Sequence, residues 1–257
     1  MNINRSKFTG EIIYPDTDGQ PMAENTLQFQ WIVTIQGGLA ATFAHDANVF
    51  IAGDLFWYPV EGRPDIRAAP DILVVFGRPR GHRLSYMQWK EGGIAPQVVF
   101  EVWSPGNRLG EMQQKFQFYE DHEVEEYYVF DPDRNTLAGF RRSGNRLVEI
   151  PVMQGWVSPL LGIRFEMGPD GLVIYGPDGR RFLTYLELAE QREREEKAKV
   201  QAQKEKEQAQ KEKEQAQKEK EQVQKHLEKA EREREAARLQ ADKLAAKLKA
   251  MGIDPEA

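Results

Sequence analysis

The chain has 257 residues, with 35 Lys+Arg, 41 Asp+Glu, four His and no Cys. That is room for one sizeable domain and an appendage, and it excludes disulfides, thiolate zinc sites and cysteine nucleophiles. The net charge of −6 lies wholly in residues 1–186, which argues against coating nucleic acid through bulk charge but not against an enzyme that gathers carboxylates around a hard cation.

In chain order, Met1–Arg5 lacks the apolar core of a signal peptide. No apolar run anywhere approaches the roughly 18 residues of a membrane span, so a cytoplasmic protein is expected. Residues 22–36 have helical spacing, with Leu27, Trp31 and Ile35 on one stripe and Gly37-Gly38 as the expected end. Glu24 shares that stripe as a charge on its apolar side; the competing role is a carboxylate favoured by the helix dipole. Val49–Ile51 and Ile72–Phe76 read as short strands, and Val98–Trp103 as a third. Runs this apolar imply a sheet covered on both faces. Asp54, after the first strand, reads best as a turn or cap residue.

Residues 108–121 read as a helix with Asn107 as N-cap. Val124–Phe130, Leu137–Arg141 and Arg146–Ile150 are further strands, and two Gly-Pro-Asp-Gly turns (168–171 and 176–179) punctuate a last β segment. Beyond Leu186 the composition turns to Glu, Lys, Gln and Ala. The unit Ala202-Gln-Lys-Glu-Lys-Glu-Gln208 recurs at 209–215 and 216–222. A helix over 187–251 would be roughly 100 Å long. Glu207–Lys211, Glu214–Lys218 and Glu221–Lys225 are i,i+4 pairs that support a solvated helix. Its second half, 223–251, carries enough Val and Leu at heptad positions to pair as a coiled coil, so a homo-oligomer is expected through it. The domains expected are therefore 1–186 (globular), 187–251 (charged helix) and 252–257 (tail).

Three charges resist a surface explanation. Asp71 opens an apolar strand, Glu101 lies between apolar neighbours in Val98-Val-Phe-Glu-Val-Trp103, and Lys115 falls inside the arc formed by Leu109, Met112, Phe116, Phe118 and Tyr119. The bland readings are a solvated or arginine-paired carboxylate and a snorkelling lysine. The other reading is convergence, in which like charges on adjacent strands call for a cation. Arg78, Arg80, His82 and Arg83, in Gly77-Arg-Pro-Arg-Gly-His-Arg83, follow the Asp71 strand and read either as phosphate contacts or as a solvated basic loop.

As an ordered series, Pro70-Asp71-Ile-Leu-Val-Val75, Pro96-Gln-Val-Val-Phe-Glu101-Val-Trp-Ser-Pro105, Lys115-Phe-Gln-Phe-Tyr119 and Val124-Glu-Glu-Tyr-Tyr-Val-Phe-Asp-Pro132 resembles the Uma-two family of restriction endonucleases in the PD-(D/E)XK nuclease superfamily, over most of residues 20–185. The resemblance implies an α/β fold, a restriction-endonuclease-like mixed sheet flanked by helices. It implies Mg²⁺ (or Mn²⁺) on Asp71 and Glu101, Lys115 in the place of the motif lysine, Glu24 as the acidic residue of the first helix, and DNA as substrate. Tyr119 matches a recurrent position that core packing explains equally well. Trp103 stands where the motif places its lysine. That departure keeps open a catalytically degenerate binding or scaffolding protein, or a globular cap on a coiled coil.

Overall fold

A computed structural model describes residues 12–15, 25–104, 109–169 and 171–250. The chain divides into two compact units, Met1–Leu188 and Ala189–Ala257.

The first unit is built on a six-stranded mixed sheet. It comprises β1 (Val49–Gly53), β3 (Ile72–Phe76), β5 (Val98–Val102), β6 (Glu126–Asp131), β7 (Thr136–Ser143) and β8 (Arg146–Glu149), hydrogen-bonded in the order β1-β3-β5-β6-β7-β8. All pairs are antiparallel except β5–β6. That parallel pair needs a crossover, which helix α2 (Leu109–Asp121) supplies. Two-residue strands β2 (Trp57–Tyr58) and β4 (Tyr86–Met87) pair in parallel, and β9 (Arg164–Gly168) forms a hairpin with β10 (Gly171–Tyr175). Strands of two residues carry no periodic signal, and β2 and β4 were not expected from sequence.

Period-two alternation sorts the strand residues onto two faces. Ile72, Val74, Val98, Phe100, Val102 and Phe130 pack with helix α1 (Thr26–Thr42) on one face. Leu73, Val75, Val99, Tyr127 and Val129 pack with Tyr119, Phe116 and Met112 of α2 on the other. The expected covered sheet is therefore what forms.

Helix α1 departs from its expected bounds. It starts after Asn25, whose side chain caps the Gln28 N–H at 2.8 Å, and it runs through Gly37-Gly38 to Thr42. Gly38 is a contact position, since a Cβ there would lie 2.1 Å from the Phe182 ring. The buried stripe is also rotated: Gln28, Ile32, Ile35 and Leu39 face inward, whereas Leu27 is exposed.

The second unit carries most of α3 (Tyr185–Ala250), which opens two residues earlier than expected. Thr184 and Glu187 form a capping box there: the Thr184 N–H donates to the Glu187 carboxylate (2.9 Å) and the Glu187 N–H to the Thr184 hydroxyl (3.3 Å). Along the repeat, Glu207 and Glu214 accept from Gln203 and Gln210 (2.8 and 2.9 Å) instead of pairing with Lys211 and Lys218. Among the described residues, no helix is long and apolar enough to cross a membrane.

Candidate active site

The register of three adjacent strands builds the site. Ile72 pairs with Phe100, so the next step of the ladder sets Asp71 opposite Glu101. Gly53 pairs with Ile72, so the same step sets Asp54 opposite Asp71, and the Asp54 N–H does donate to the Asp71 carbonyl at 3.3 Å. Alternation points Asp71 and Glu101 toward the face covered by α2, and the charge of Asp54 reaches both Asp71 and Lys115. Three carboxylates thus form a row across β1, β3 and β5. Like charges directly opposite one another destabilise a sheet, so a row like this needs an opposing charge.

Pro70 creates the next feature. One further step of the register sets it opposite Val102, at a position where strand partners exchange hydrogen bonds, and proline has no N–H to give. Side chains fill both bonds instead: the Val102 N–H donates to Asp71 Oδ2 (2.6 Å), and Gln28 Nε2 donates to the Val102 carbonyl (2.9 Å). The ladder ends there with Asp71 and Gln28 as the polar partners of Val102.

Helix α2 brings the cation. Lys115 Nζ lies 2.7 Å from Glu101 Oε2 and 3.4 Å from the Ala69 carbonyl. Tyr119, one turn on, donates its hydroxyl to Glu101 Oε1 at 2.5 Å. Arg142 of β7 fixes the C-terminal end of α2 by donating to the carbonyls of Glu120 (2.8 Å) and Val124 (2.8 Å), where a helix leaves acceptors unsatisfied. Beneath Tyr119, at a ring-centroid distance of 5.0 Å, the buried Tyr127 hydroxyl has no hydrogen-bond partner among the described residues.

The electrostatics follow from this crowding. Burial, then the charge of Glu101, holds the Asp71 carboxyl well above the ordinary aspartate range; Lys115 and the Val102 N–H oppose this, and Asp54 adds to it. Burial works against the Lys115 ammonium, but the charges of Glu101 and Asp71, the bond to Glu101 and the charge of Asp54 outweigh it, and its pKa stands above the usual lysine value. Burial, then Glu101, pushes the Tyr119 phenol far up, so it remains a donor.

Asp71, Glu101 and Lys115 are therefore brought together as expected, and Tyr119 is a direct partner of Glu101 as well as a core residue. Asp54 does occupy a left-handed turn (φ 49°), yet it also joins the carboxylate row. Gln28 was missed because the stripe was placed one residue out of phase. Glu24 and Asn107 lie outside the described residues.

The basic loop is not at this site. Asp71 precedes β3 and Arg78 follows it, which puts them on the order of 20 Å apart at 3.3 Å per residue. Arg78 and Arg83 both bond Glu91 (3.0 and 2.6 Å), Arg83 also stacks 3.9 Å over Phe50, and Arg80 donates to the carbonyls of Phe43 and Asp46. Of the two expected readings, phosphate contacts or a solvated basic loop, these bonds fit neither a free loop nor the carboxylate site: Arg78, Arg80 and Arg83 are engaged within the protein at the opposite end of β3 from Asp71.

The donor set suits a hard divalent cation. Among the described residues no three Asp, Glu or His side chains are drawn into a metal-holding cluster, so the protein offers two facing carboxylates. Mg²⁺ is commonly bound through one or two carboxylates and keeps several waters. Asp71 keeps one oxygen free of the Val102 bond, and each Glu101 oxygen retains a second lone pair.

A family model described as "Uma2: Putative restriction endonuclease" matches residues 11–168. A solved structure of "a putative nuclease belonging to DUF820 from Anabaena variabilis ATCC 29413" is similar, with a TM-score of 0.40 and 14% identity over 55% of this chain and 74% of that one. No curated protein matches the chain.

Proposed function

The chain belongs to the Uma2 family, and from that premise we propose that it is a Mg²⁺-dependent endonuclease that hydrolyses DNA phosphodiester bonds. The observation that carries this reading is the meeting of Asp71, Glu101 and Lys115 at one open ladder end.

Asp71 and Glu101 would hold the cation, which supplies a Lewis acid for the phosphate and acidifies water when bound. Lys115 neutralises Glu101 and presents an ammonium where negative charge grows on the phosphate in the transition state. Tyr119 fixes the Glu101 carboxylate by its second oxygen, so its orientation survives when Lys115 moves toward substrate. Gln28 and the Val102 N–H fix the end of the ladder, and with it the Asp71 carboxylate. Trp103 at the motif's lysine position does not weigh against activity here, because Lys115 delivers an ammonium to Glu101 from the helix.

The test is cleavage of plasmid DNA in Mg²⁺ or Mn²⁺ by the full chain and by Glu101→Ala. The expected result is cleavage by the parent that chelator and the substitution both abolish. Equal cleavage by Glu101→Ala would overturn the reading.

The second half of α3 supports a further proposal, that two copies pair through residues 223–250. Val223, Leu227 and Leu244 are 66%, 55% and 62% exposed on a lone helix, and a second helix would cover them.

A further inference from the structure

The arginines of the sheet-bearing unit mostly have carboxylate or carbonyl partners. Arg63 forks onto both oxygens of Asp65 (2.9 and 2.6 Å), Arg78 and Arg83 share Glu91, Arg164 pairs with Glu166, and Arg142 caps α2. Arg67 differs. Its one hydrogen bond among the described residues runs from Nη1 to the Pro64 carbonyl at 3.1 Å, and no carboxylate among them pairs with it. Asp65 is close in sequence, but Arg63 uses both its oxygens. The Arg67 guanidinium is half-buried and stands 4.9 Å over the Phe56 ring, so it is held in place. A guanidinium has five N–H donors, and four of these are unspent. A positioned cation with unspent donors is a site for a planar or tetrahedral oxyanion.

Its location gives that anion an identity. Ala68 is fastened to Trp57 by two backbone bonds (2.8 and 3.2 Å), and the Ala69 carbonyl accepts from Lys115. Asp71 follows two residues later. Arg67 is thus no more than about 13 Å of extended backbone from Asp71, about four base-pair rises of a duplex. The carboxylate row itself repels a polyanion, and Arg67 lies on the segment that leads into Asp71, at the opposite end of β3 from the Arg78 loop.

We propose that Arg67 binds the non-bridging oxygens of a DNA phosphate flanking the one that meets Asp71 and Glu101. This rests on the nuclease reading and adds to it the residue that sets the strand's register on the site.

The test separates binding from cleavage. A fluorescein-labelled duplex is titrated with the full chain in chelator and followed by anisotropy across a salt series, for the parent, Arg67→Ala, Arg67→Lys and Arg78→Ala. Arg67→Ala should raise Kd about tenfold at low salt and lower the slope of log K against log salt by about 0.9. Arg67→Lys, which keeps the charge but not the fork, should keep the slope and recover part of the affinity. It also covers the case in which loss of the Phe56 contact unfolds the alanine variant. Arg78→Ala should match the parent. A parent that binds and cleaves DNA, with Arg67→Ala and Arg67→Lys binding as tightly at the same slope, overturns this inference alone. A parent that neither binds nor cleaves overturns it together with the nuclease reading.

Discussion

Replacing Lys115 with Met removes the ammonium bonded to Glu101 in the row of Asp54, Asp71 and Glu101 while keeping the length of the side chain. Among the described residues Glu101 then keeps only the Tyr119 hydroxyl as a hydrogen-bonded side-chain partner, and two carboxylates face each other across β3 and β5. Breaking a buried pair by deleting one partner costs about 3–5 kcal/mol. The Lys115 side chain is 31% exposed, so solvent screening brings the expectation to about 2–4 kcal/mol. For a domain of this size that corresponds to a loss of roughly 4–15 °C in Tm. The sign with pH is set by Asp71. Its folded pKa is raised above the unfolded value near 4, so the folded state binds the extra proton and stability falls as pH rises through the raised value. Lys115 offsets that loss in the parent, and its own stabilisation is complete at neutral pH and lost only above its raised pKa. The deficit of Lys115→Met should therefore be larger at a pH above the raised Asp71 value than at a pH below it, where Asp71 carries a proton. Thermal unfolding of both proteins at the two pH values measures this. An equal deficit, or a larger one in acid, refutes the assigned charge arrangement.

Three further outcomes follow from the same contacts. Tyr127→Phe should leave Tm unchanged or slightly higher, because the buried hydroxyl it removes has no partner, whereas Tyr119→Phe removes a bond to an ionised carboxylate and should lower stability by about 1.5–3 kcal/mol; chemical denaturation of the two variants reads the contrast. Gln28→Leu strips the Val102 carbonyl of its donor and should lower stability by about 1–3 kcal/mol, visible as a drop in Tm. The chain truncated after Leu188 should sediment as a monomer while the full chain sediments as a dimer, and equal sedimentation would remove α3 as the pairing element.

The legible part of the site was the part written as local contradiction. Asp71, Glu101 and Lys115 each set a charge inside an apolar pattern, and such a charge is stable only with a partner. Gln28 raises no such alarm, since a neutral amide on a helix next to Trp31 looks like ordinary surface, and the helix opens after Asn25 instead of at residue 22. The row that joins Asp54 to Asp71 depends on the register of β1 against β3, a long-range pairing that no stretch of sequence contains. Arg78, Arg80 and Arg83 read as phosphate contacts or a solvated loop because they follow the Asp71 strand. A strand has two ends, and the pattern Ile72–Phe76 does not say which one carries chemistry. Glu91, which holds two of those arginines, lies eight residues past Arg83 and is unremarkable until the chain folds back. The fold class was legible from the same strands, because apolar runs on both faces demand two covering layers.

The central claim is that Asp71 and Glu101 form a divalent-cation site. Crystals of the full chain soaked in Mn²⁺ test it most directly through anomalous scattering. The account predicts one peak at about 2.0–2.3 Å from an oxygen of each carboxylate, absent from Asp71→Asn crystals grown the same way. A map at saturating Mn²⁺ with no peak between these two side chains, or with its peak elsewhere, would contradict it.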